Sequence, residues 1–187
     1  MSEVIVMRKK DTTIEYMFRR VNDITPEIIR EIGLEAIVFD LDNTTVKDAT
    51  MTTIPGSISW IKELKAAGIP VAIVTNTPHI RAYWFSKTFG VKFHAFAKKP
   101  LPHGIIRMSR KLGVPVNKIG MVGDQVFTDV AAANRCGAVP LLVDPVENKW
   151  FWKNHYKKNR IKEAPIREAF LKEYGYYGDK KISEASE

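Results

Sequence analysis

Four short runs of uninterrupted apolar residues punctuate the middle of the chain, at Ala36–Phe39, Val71–Val74, 119–122 and Val139–Val143. Continuous apolar runs of four or five residues, as opposed to alternating ones, are what a strand covered on both faces requires. Residues 92–96 alternate more and predict a further strand nearer an edge. Helical patterns lie between the runs. Ile58, Ile61 and Leu64 recur every three residues, with Gly68 as a stop. Ile80, Tyr83 and Trp84 predict a second apolar face, Ile105, Met108 and Leu112 a third closed by Gly113, and Val126, Val130 and Ala133 a fourth ended by Gly137. Strand and helix alternate through residues 35–143, which predicts a Rossmann-like three-layer α/β/α sandwich with a mostly parallel five-stranded sheet.

The ends differ from this core. Residues 8–33 hold the basic clusters Arg8-Lys9-Lys10 and Arg19-Arg20, and a helix start at Thr25-Pro26 with Pro26 in the first helical position. Residues 147–181 mix aromatics with ten Lys and Arg against five acids. The expected organisation is one domain over residues 1–187, with a core at 34–146, an N-terminal extension at 1–33 and a basic, aromatic C-terminal extension at 147–187. The cluster from Trp150 to Trp152 reads as the apolar face of a packed terminal helix, with a membrane anchor as the alternative. The run from Lys157-Lys158 to Arg160 reads as a solvated face, with no site assigned to it.

Length and composition remove several function classes. A chain of 187 residues suits one domain able to bury a core without disulfides. Its single cysteine, Cys136, permits no intrachain disulfide and suits a reducing compartment. No stretch approaches the roughly 20 apolar residues that span a bilayer, and residues 1–10 carry no signal-peptide pattern. The expectation is a cytoplasmic protein, at most peripheral on the inner face of a membrane. The formal charge of +8 points to anionic partners without choosing among phosphorylated compounds, nucleic acid and anionic lipid.

In a parallel α/β sheet, ligands gather outside the carboxyl ends of the strands. The polar residues at those ends are Asp40 and Asp42, Thr75 and Asn76, the pair Lys98-Lys99 before Pro100, and Asp124. Three carboxylates converging on one cleft repel each other unless a cation sits among them. Magnesium, a hard ion that prefers oxygen ligands and keeps several waters, is the natural occupant. A hydroxyl and an ammonium beside such a site suit a phosphoryl group. One carboxylate can then attack phosphorus, while another two residues on moves protons.

The segment Asp40-Leu41-Asp42-Asn43-Thr44 resembles motif I of the haloacid dehalogenase superfamily, Asp-x-Asp-x-Thr after a hydrophobic strand. Thr75 is similar to its motif II, Lys99 before Pro100 to motif III, and Gly123-Asp124 with Asp129 to motif IV. The resemblance implies that Asp40 is the nucleophile and a magnesium ligand. Asp42 would be the general acid and base, lending its backbone carbonyl to the metal, and Asp124 a further ligand. Thr75, Asn76 and Lys99 would bind substrate, with Lys98 the rival for the lysine role, and Thr44 and Asp129 would support the site. Gly123-Asp124-Gln125, Thr128-Asp129, Asn134-Arg135, Ala97-Lys98-Lys99-Pro100 and Ile24-Thr25-Pro26 further resemble the YqeG-type phosphatases of subfamily IIIA. That group includes phosphatidylglycerophosphate phosphatases. Thr45 departs from the pattern, where an aliphatic residue usually follows the motif I threonine.

Asp42 and Thr75 are 33 positions apart, and Thr75 and Lys99 are 24 apart. A flap, a helix, a strand and short loops use up those lengths, so no cap domain is expected over the cleft. The reading is therefore a magnesium-dependent phosphomonoesterase with an uncapped site, acting on phosphatidylglycerophosphate. The alternatives are a protein, sugar or nucleic-acid phosphate as substrate, or a basic RNA- or ribosome-associated module with little turnover. A receiver domain also uses carboxylates, Thr, Lys and magnesium, but lacks the acid at the second position of Asp-x-Asp.

Overall fold

A computed structural model describes residues 11–146 and 154–179, with backbone alone at 154–157. All four continuous apolar runs are strands. In chain order the elements are β1 (Tyr16–Phe18), α1 (Pro26–Glu31), β2 (Ala36–Phe39), α2 (Ser57–Ala66), β3 (Val71–Val74), α3 (His79–Phe89) and β4 (Lys92–His94). They continue with α4 (His103–Leu112), β5 (Ile119–Gly123), α5 (Ala131–Cys136), β6 (Val139–Val143) and α6 (Asn154–Tyr174). The strands form one sheet in the order β1-β6-β5-β2-β3-β4, every pair parallel. The sheet thus has six strands, not the five expected. The sixth, β1, comes from the N-terminal extension and pairs through Tyr16–Leu141, Met17–Leu142 and Phe18–Val143.

Side-chain alternation within each strand separates the two faces. On one face, Ile37, Phe39, Ile73 and Val122 pack against Trp60, Ile61 and Leu64 of α2 and Ala82, Phe85 and Phe89 of α3. On the other, Ala36, Val38, Ala72, Val74 and Met121 meet Ile105 and Met108 of α4 and Ala132 and Ala133 of α5. The C-terminal helix α6 belongs to the fold: Ile166, Phe170 and Leu171 pack on Met17, Leu142, Val126 and Val130. Three helix boundaries follow the expected chemistry. Thr25 caps α1 with Pro26 at its first position, and Gly113 and Gly137 close α4 and α5 in the left-handed conformation.

The apolar face expected for α3 points the other way. Ile80 is 81% exposed, and Tyr83 and Trp84 are also exposed, while Ala82, Phe85 and Phe89 fill the core. The true buried stripe is offset by two residues, about 200° around the helix, because aromatics occupy both sides of it. The cluster Trp150 to Trp152 lies outside the described residues. Among the described residues, no helix is long and apolar enough to cross a membrane, and no cap domain is inserted between β2 and α4.

From β2 the chain winds outward through β3 and β4, then crosses back to β5 and β6. The strand order reverses between the neighbours β2 and β5. A crevice opens at such a switch point, outside the carboxyl ends of the strands, and the candidate residues lie there.

Candidate active site

The segment after β2 is a tight turn. The Thr45 and Val46 N–H groups donate to the Leu41 carbonyl at 2.9 and 2.8 Å, and Asn43 takes a left-handed φ of 56° that asparagine tolerates. The turn aims Asp40 into the crevice and Asp42 toward its mouth; Asp40 is buried and Asp42 half-buried. Thr45 is fully buried, and its hydroxyl donates to the Asp40 carbonyl at 3.0 Å. The departure from an aliphatic residue is thereby satisfied and helps hold the turn.

The Lys99 ammonium lies 2.8 Å from Asp40 Oδ1 and 2.6 Å from Asp129 Oδ1, with all three side chains buried. Lys98 is exposed, with a left-handed φ of 54°, so Lys99 is the lysine at the site. Burial works against the Lys99 ammonium, but the carboxylates of Asp129 and Asp40 outweigh it and hold its pKa above the ordinary lysine value. Burial pushes the Asp40 carboxyl up to about 6 against the pull of Lys99, with Asp129 and Asp42 adding to the rise. Asp124 and Asp129 are also raised, by burial first, against the pull of Arg160 and Lys99 respectively.

Asp124 follows β5 and is fully buried. Oxygens of Asp40, Asp124 and Asp129 lie within 4.8 Å of one another. Three buried acids so close are unfavourable without positive charge. Asp40 Oδ1 lies beside the Lys99 ammonium with no hydrogen-bond donor aligned on it. This all-oxygen donor set with an under-satisfied acceptor fits a hard cation. Thr44 Oγ1 donates to Asp124 Oδ1 at 3.2 Å, so it supports the same acid.

Asp129 sits in a wide π-helical turn, Val126–Val130, which leads into α5. Its Oδ2 accepts from the Gln125 N–H at 3.1 Å while Oδ1 holds Lys99. The turn fits only because residue 123 has no side chain: a Cβ there would lie 2.2 Å from Asp129 Cγ and 2.4 Å from Oδ2. Gly123→Ala must push Asp129 off Lys99. The expected result is at least about a tenfold loss of hydrolysis with about 1–3 kcal/mol of destabilisation, the range for overpacking a tight site. Steady-state rates and urea unfolding check it, and an alanine variant with unchanged turnover contradicts it.

Thr75 ends β3, buried; its hydroxyl donates to Thr77 Oγ1 at 3.1 Å and accepts from the Thr77 N–H at 3.2 Å. Asn76 holds the chain carrying Lys99: its Oδ1 accepts from the Lys99 N–H at 2.7 Å and its Nδ2 donates to the Lys99 carbonyl at 3.1 Å. Its side-chain amide is thus engaged with protein backbone, where a direct contact with substrate was expected.

Several polar residues of the site carried no signal in the sequence. Thr77 and Arg81 meet the Asp42 carboxylate. From α6, the Arg160 guanidinium donates to both the carboxylate and the carbonyl of Asp124. Buried Glu163 accepts from Arg160 at 3.0 Å and from the Phe127 N–H at 3.3 Å. Arg167 also reaches the Asp124 carbonyl and pairs with Asp144 at 3.3 Å. The basic run is therefore not a solvated face at Arg160. A cavity of about 490 Å³ is lined by Asp40, Asp42, Thr75, Arg81 and Lys99 and, from α6, by Asn159.

Residues 46–137 match the haloacid dehalogenase-like hydrolases. The chain is 35% identical over 140 residues to the probable phosphatase YqeG of Bacillus subtilis (strain 168), covering 75% of this chain and 81% of that protein. It is 25% identical over 129 residues to phosphatidylglycerophosphate phosphatase 1, chloroplastic/mitochondrial, of Arabidopsis thaliana, covering 64% of this chain and 37% of that one. An uncharacterized protein from Listeria monocytogenes serotype 4b shares the fold, with a TM-score of 0.50 and 16% identity over 65% of this chain and 88% of that one. On its matched motifs, its parallel sheet and its similarity to YqeG, the chain belongs to the haloacid dehalogenase-like hydrolases.

Proposed function

We propose that the protein is a magnesium-dependent phosphomonoesterase that works through an aspartyl-phosphate on Asp40, with phosphatidylglycerophosphate as its substrate. The observation that carries the chemistry is the pairing of two differently placed acids. Asp40 is buried against the Lys99 ammonium at 2.8 Å, and Asp42, two residues on, faces the cavity mouth. A buried carboxylate held by an ammonium suits nucleophilic attack, and a more accessible one suits proton transfer.

In the first step an Asp40 oxygen bonds to phosphorus as the bond to the leaving oxygen breaks. The Asp42 carboxyl gives its proton to the departing alkoxide. In the second, the Asp42 carboxylate takes a proton from water as that water attacks phosphorus, which releases phosphate and restores Asp40. Lys99 and Thr75 hold the phosphoryl oxygens, and Asn76 and Asp129 hold Lys99. Asp40, Asp124 and the Asp42 carbonyl would ligate magnesium, which supplies charge neutralisation for the phosphoryl group.

Three observations favour the lipid substrate over a small metabolite. One relative is named for phosphatidylglycerophosphate. No cap domain covers the cavity among the described residues. Large apolar side chains stand exposed on the loops and helix start at the same edge of the sheet: Met51, Ile80, Phe96 and Leu101. With a net charge of +8, such an edge suits peripheral contact with an anionic bilayer from the cytoplasmic side. The intact set Asp40, Asp42, Lys99 and Asp124 favours turnover over an RNA-associated module.

The test is phosphate release from phosphatidylglycerophosphate in mixed micelles, an aryl phosphate, a sugar phosphate and a phosphopeptide, each with magnesium or with chelator. Magnesium-dependent release, fastest from the lipid, is the expected result. Faster release from a soluble arm replaces the lipid alone. No release in any arm, or release that survives chelation, overturns the enzyme reading.

A further inference from the structure

Asp42 does not hold its position by itself. Its Oδ1 accepts from the Ala49 N–H at 3.1 Å, and its Oδ2 accepts from Thr77 Oγ1 at 2.6 Å. Arg81, in the first turn of α3, places Nη1 2.7 Å from Oδ1 and 2.8 Å from Oδ2, so one nitrogen spans both oxygens. The other donors of the same guanidinium go elsewhere. Nε donates to the Thr50 carbonyl at 2.9 Å, and Nη2 donates to the Lys47 carbonyl at 3.4 Å. The group lies over the Phe85 ring one turn along α3, with 5.5 Å from Cζ to the centroid.

The residues it reaches belong to a small flap. Val46 bridges both Asp42 and Thr53, and the Lys47 N–H donates to the Thr52 carbonyl at 2.9 Å. The flap tip, with Asp48 and Ala49, lines the cavity beside Asp42. Arg81 therefore ties three separate parts of the chain together: the turn after β2, the flap and α3. A planar fork of fixed donors can do this, whereas a single lysine ammonium cannot reach all three acceptors.

We propose that Arg81 is a positioning residue for proton transfer: it fixes the Asp42 carboxyl against the flap, and so sets where the leaving oxygen meets its proton donor. The assignment rests on the reading of Asp42 as the general acid. Proton transfer needs heavy atoms within about 2.6–3.2 Å, so a carboxyl free to rotate and a flap free to shift remove catalysis without touching Asp40 or Lys99. Loss of Arg81 therefore affects the departure of a basic leaving group far more than the attack on phosphorus.

The experiment is a leaving-group series measured as kcat/KM, which reports steps up to phosphorylation of Asp40, for Arg81→Met, Arg81→Lys, Asp42→Asn and the double variant. Arg81→Met is expected to lower kcat/KM on the order of 10²-fold for an alkyl phosphate but by less than about threefold for 2,4-dinitrophenyl phosphate, whose leaving group needs no proton. Arg81→Lys falls between, since it keeps one contact with Asp42 and loses the flap carbonyls. In the double variant, Arg81→Met adds little to the loss from Asp42→Asn, because the two act as a unit. Equal losses across the series, or losses that multiply in the double variant, overturn the proposal and leave a structural role only. Guanidinium ion that restores the alkyl-phosphate rate of Arg81→Ala supports it independently of folding. Failure of the enzyme reading is distinguishable, because the unsubstituted protein would then hydrolyse none of the series.

Discussion

Lys99→Met is expected to lower stability by about 3–5 kcal/mol at pH 7.5 in chelator, the scale for breaking a buried ion pair by removing one partner, and to abolish hydrolysis. Methionine matches the lysine stem in length and flexibility, so packing changes little. What changes is charge. Asp40 and Asp129 are buried with Lys99 between them at 2.8 and 2.6 Å, and with methionine there both lose their cation. For a domain of this size the loss corresponds to roughly 6–20 °C in Tm.

The pH dependence has a definite sign. Burial already raises Asp40 to about 6 and raises Asp129, and Lys99 is what opposes the rise in both. Without Lys99 both carboxyls move further above their unfolded values. A carboxyl whose folded pKa is raised penalises the folded state when pH is above that pKa, and the penalty vanishes as pH falls below the unfolded value near 3.9. The stability gap between the unsubstituted protein and Lys99→Met is therefore widest near pH 8 and narrows steadily toward pH 4. Urea unfolding at several pH values reads this directly. A gap that is small or independent of pH would show that Lys99 does not carry the charge balance of the site.

Asp40→Asn separates chemistry from stability in the opposite direction. The substitution is isosteric and removes one of three mutually repelling buried carboxylates, while Lys99 keeps Asp129 at 2.6 Å. Stability in chelator is expected to stay the same or rise, as when a functional site is relieved of like charge. Hydrolysis of an aryl phosphate falls by at least about 10⁴-fold, the scale of loss when a nucleophile is removed. Thermal unfolding beside a steady-state assay measures both. Residual activity within about tenfold of the original contradicts the assignment of Asp40 as nucleophile.

Much of this site is legible in the sequence, because a parallel sheet brings the carboxyl ends of its strands together whatever the loop lengths. Asp40, Thr75 and Asp124 each follow a run that a buried strand explains, Lys99 follows the alternating edge strand, and the structure gathers all four into one crevice. The choice between Lys98 and Lys99 was open on spacing alone. It turns on a left-handed backbone at Lys98 that directs that side chain outward. Asn76 sits where expected, yet its amide serves the Lys99 backbone, a contact made across 23 residues that no local pattern encodes.

Other features lay beyond reach for physical reasons. β1 has three residues, too few to display a period, and its identity as a strand comes from pairing with β6. α3 carries aromatics on both sides, so hydrophobicity along it does not distinguish the buried face from the exposed one. Arg160, Glu163 and Arg167 lie among many charges on α6, and only the docking of Ile166, Phe170 and Leu171 on the core decides which of those charges point inward. Arg81 is an isolated basic residue in a helix start. Its partners Asp42, Lys47 and Thr50 are more than 30 positions away.

The central claim is that Asp40 becomes phosphorylated during turnover. Mixing the protein with excess aryl phosphate and magnesium, quenching in acid within the first turnovers and mapping peptides by mass spectrometry tests it most directly. One phosphoryl group on the peptide that contains Asp40, absent from Asp40→Asn and lost on treatment with hydroxylamine, is the predicted result. Rapid hydrolysis with no phosphoryl group on that peptide at any quench time, or one carried on a different residue, contradicts the account.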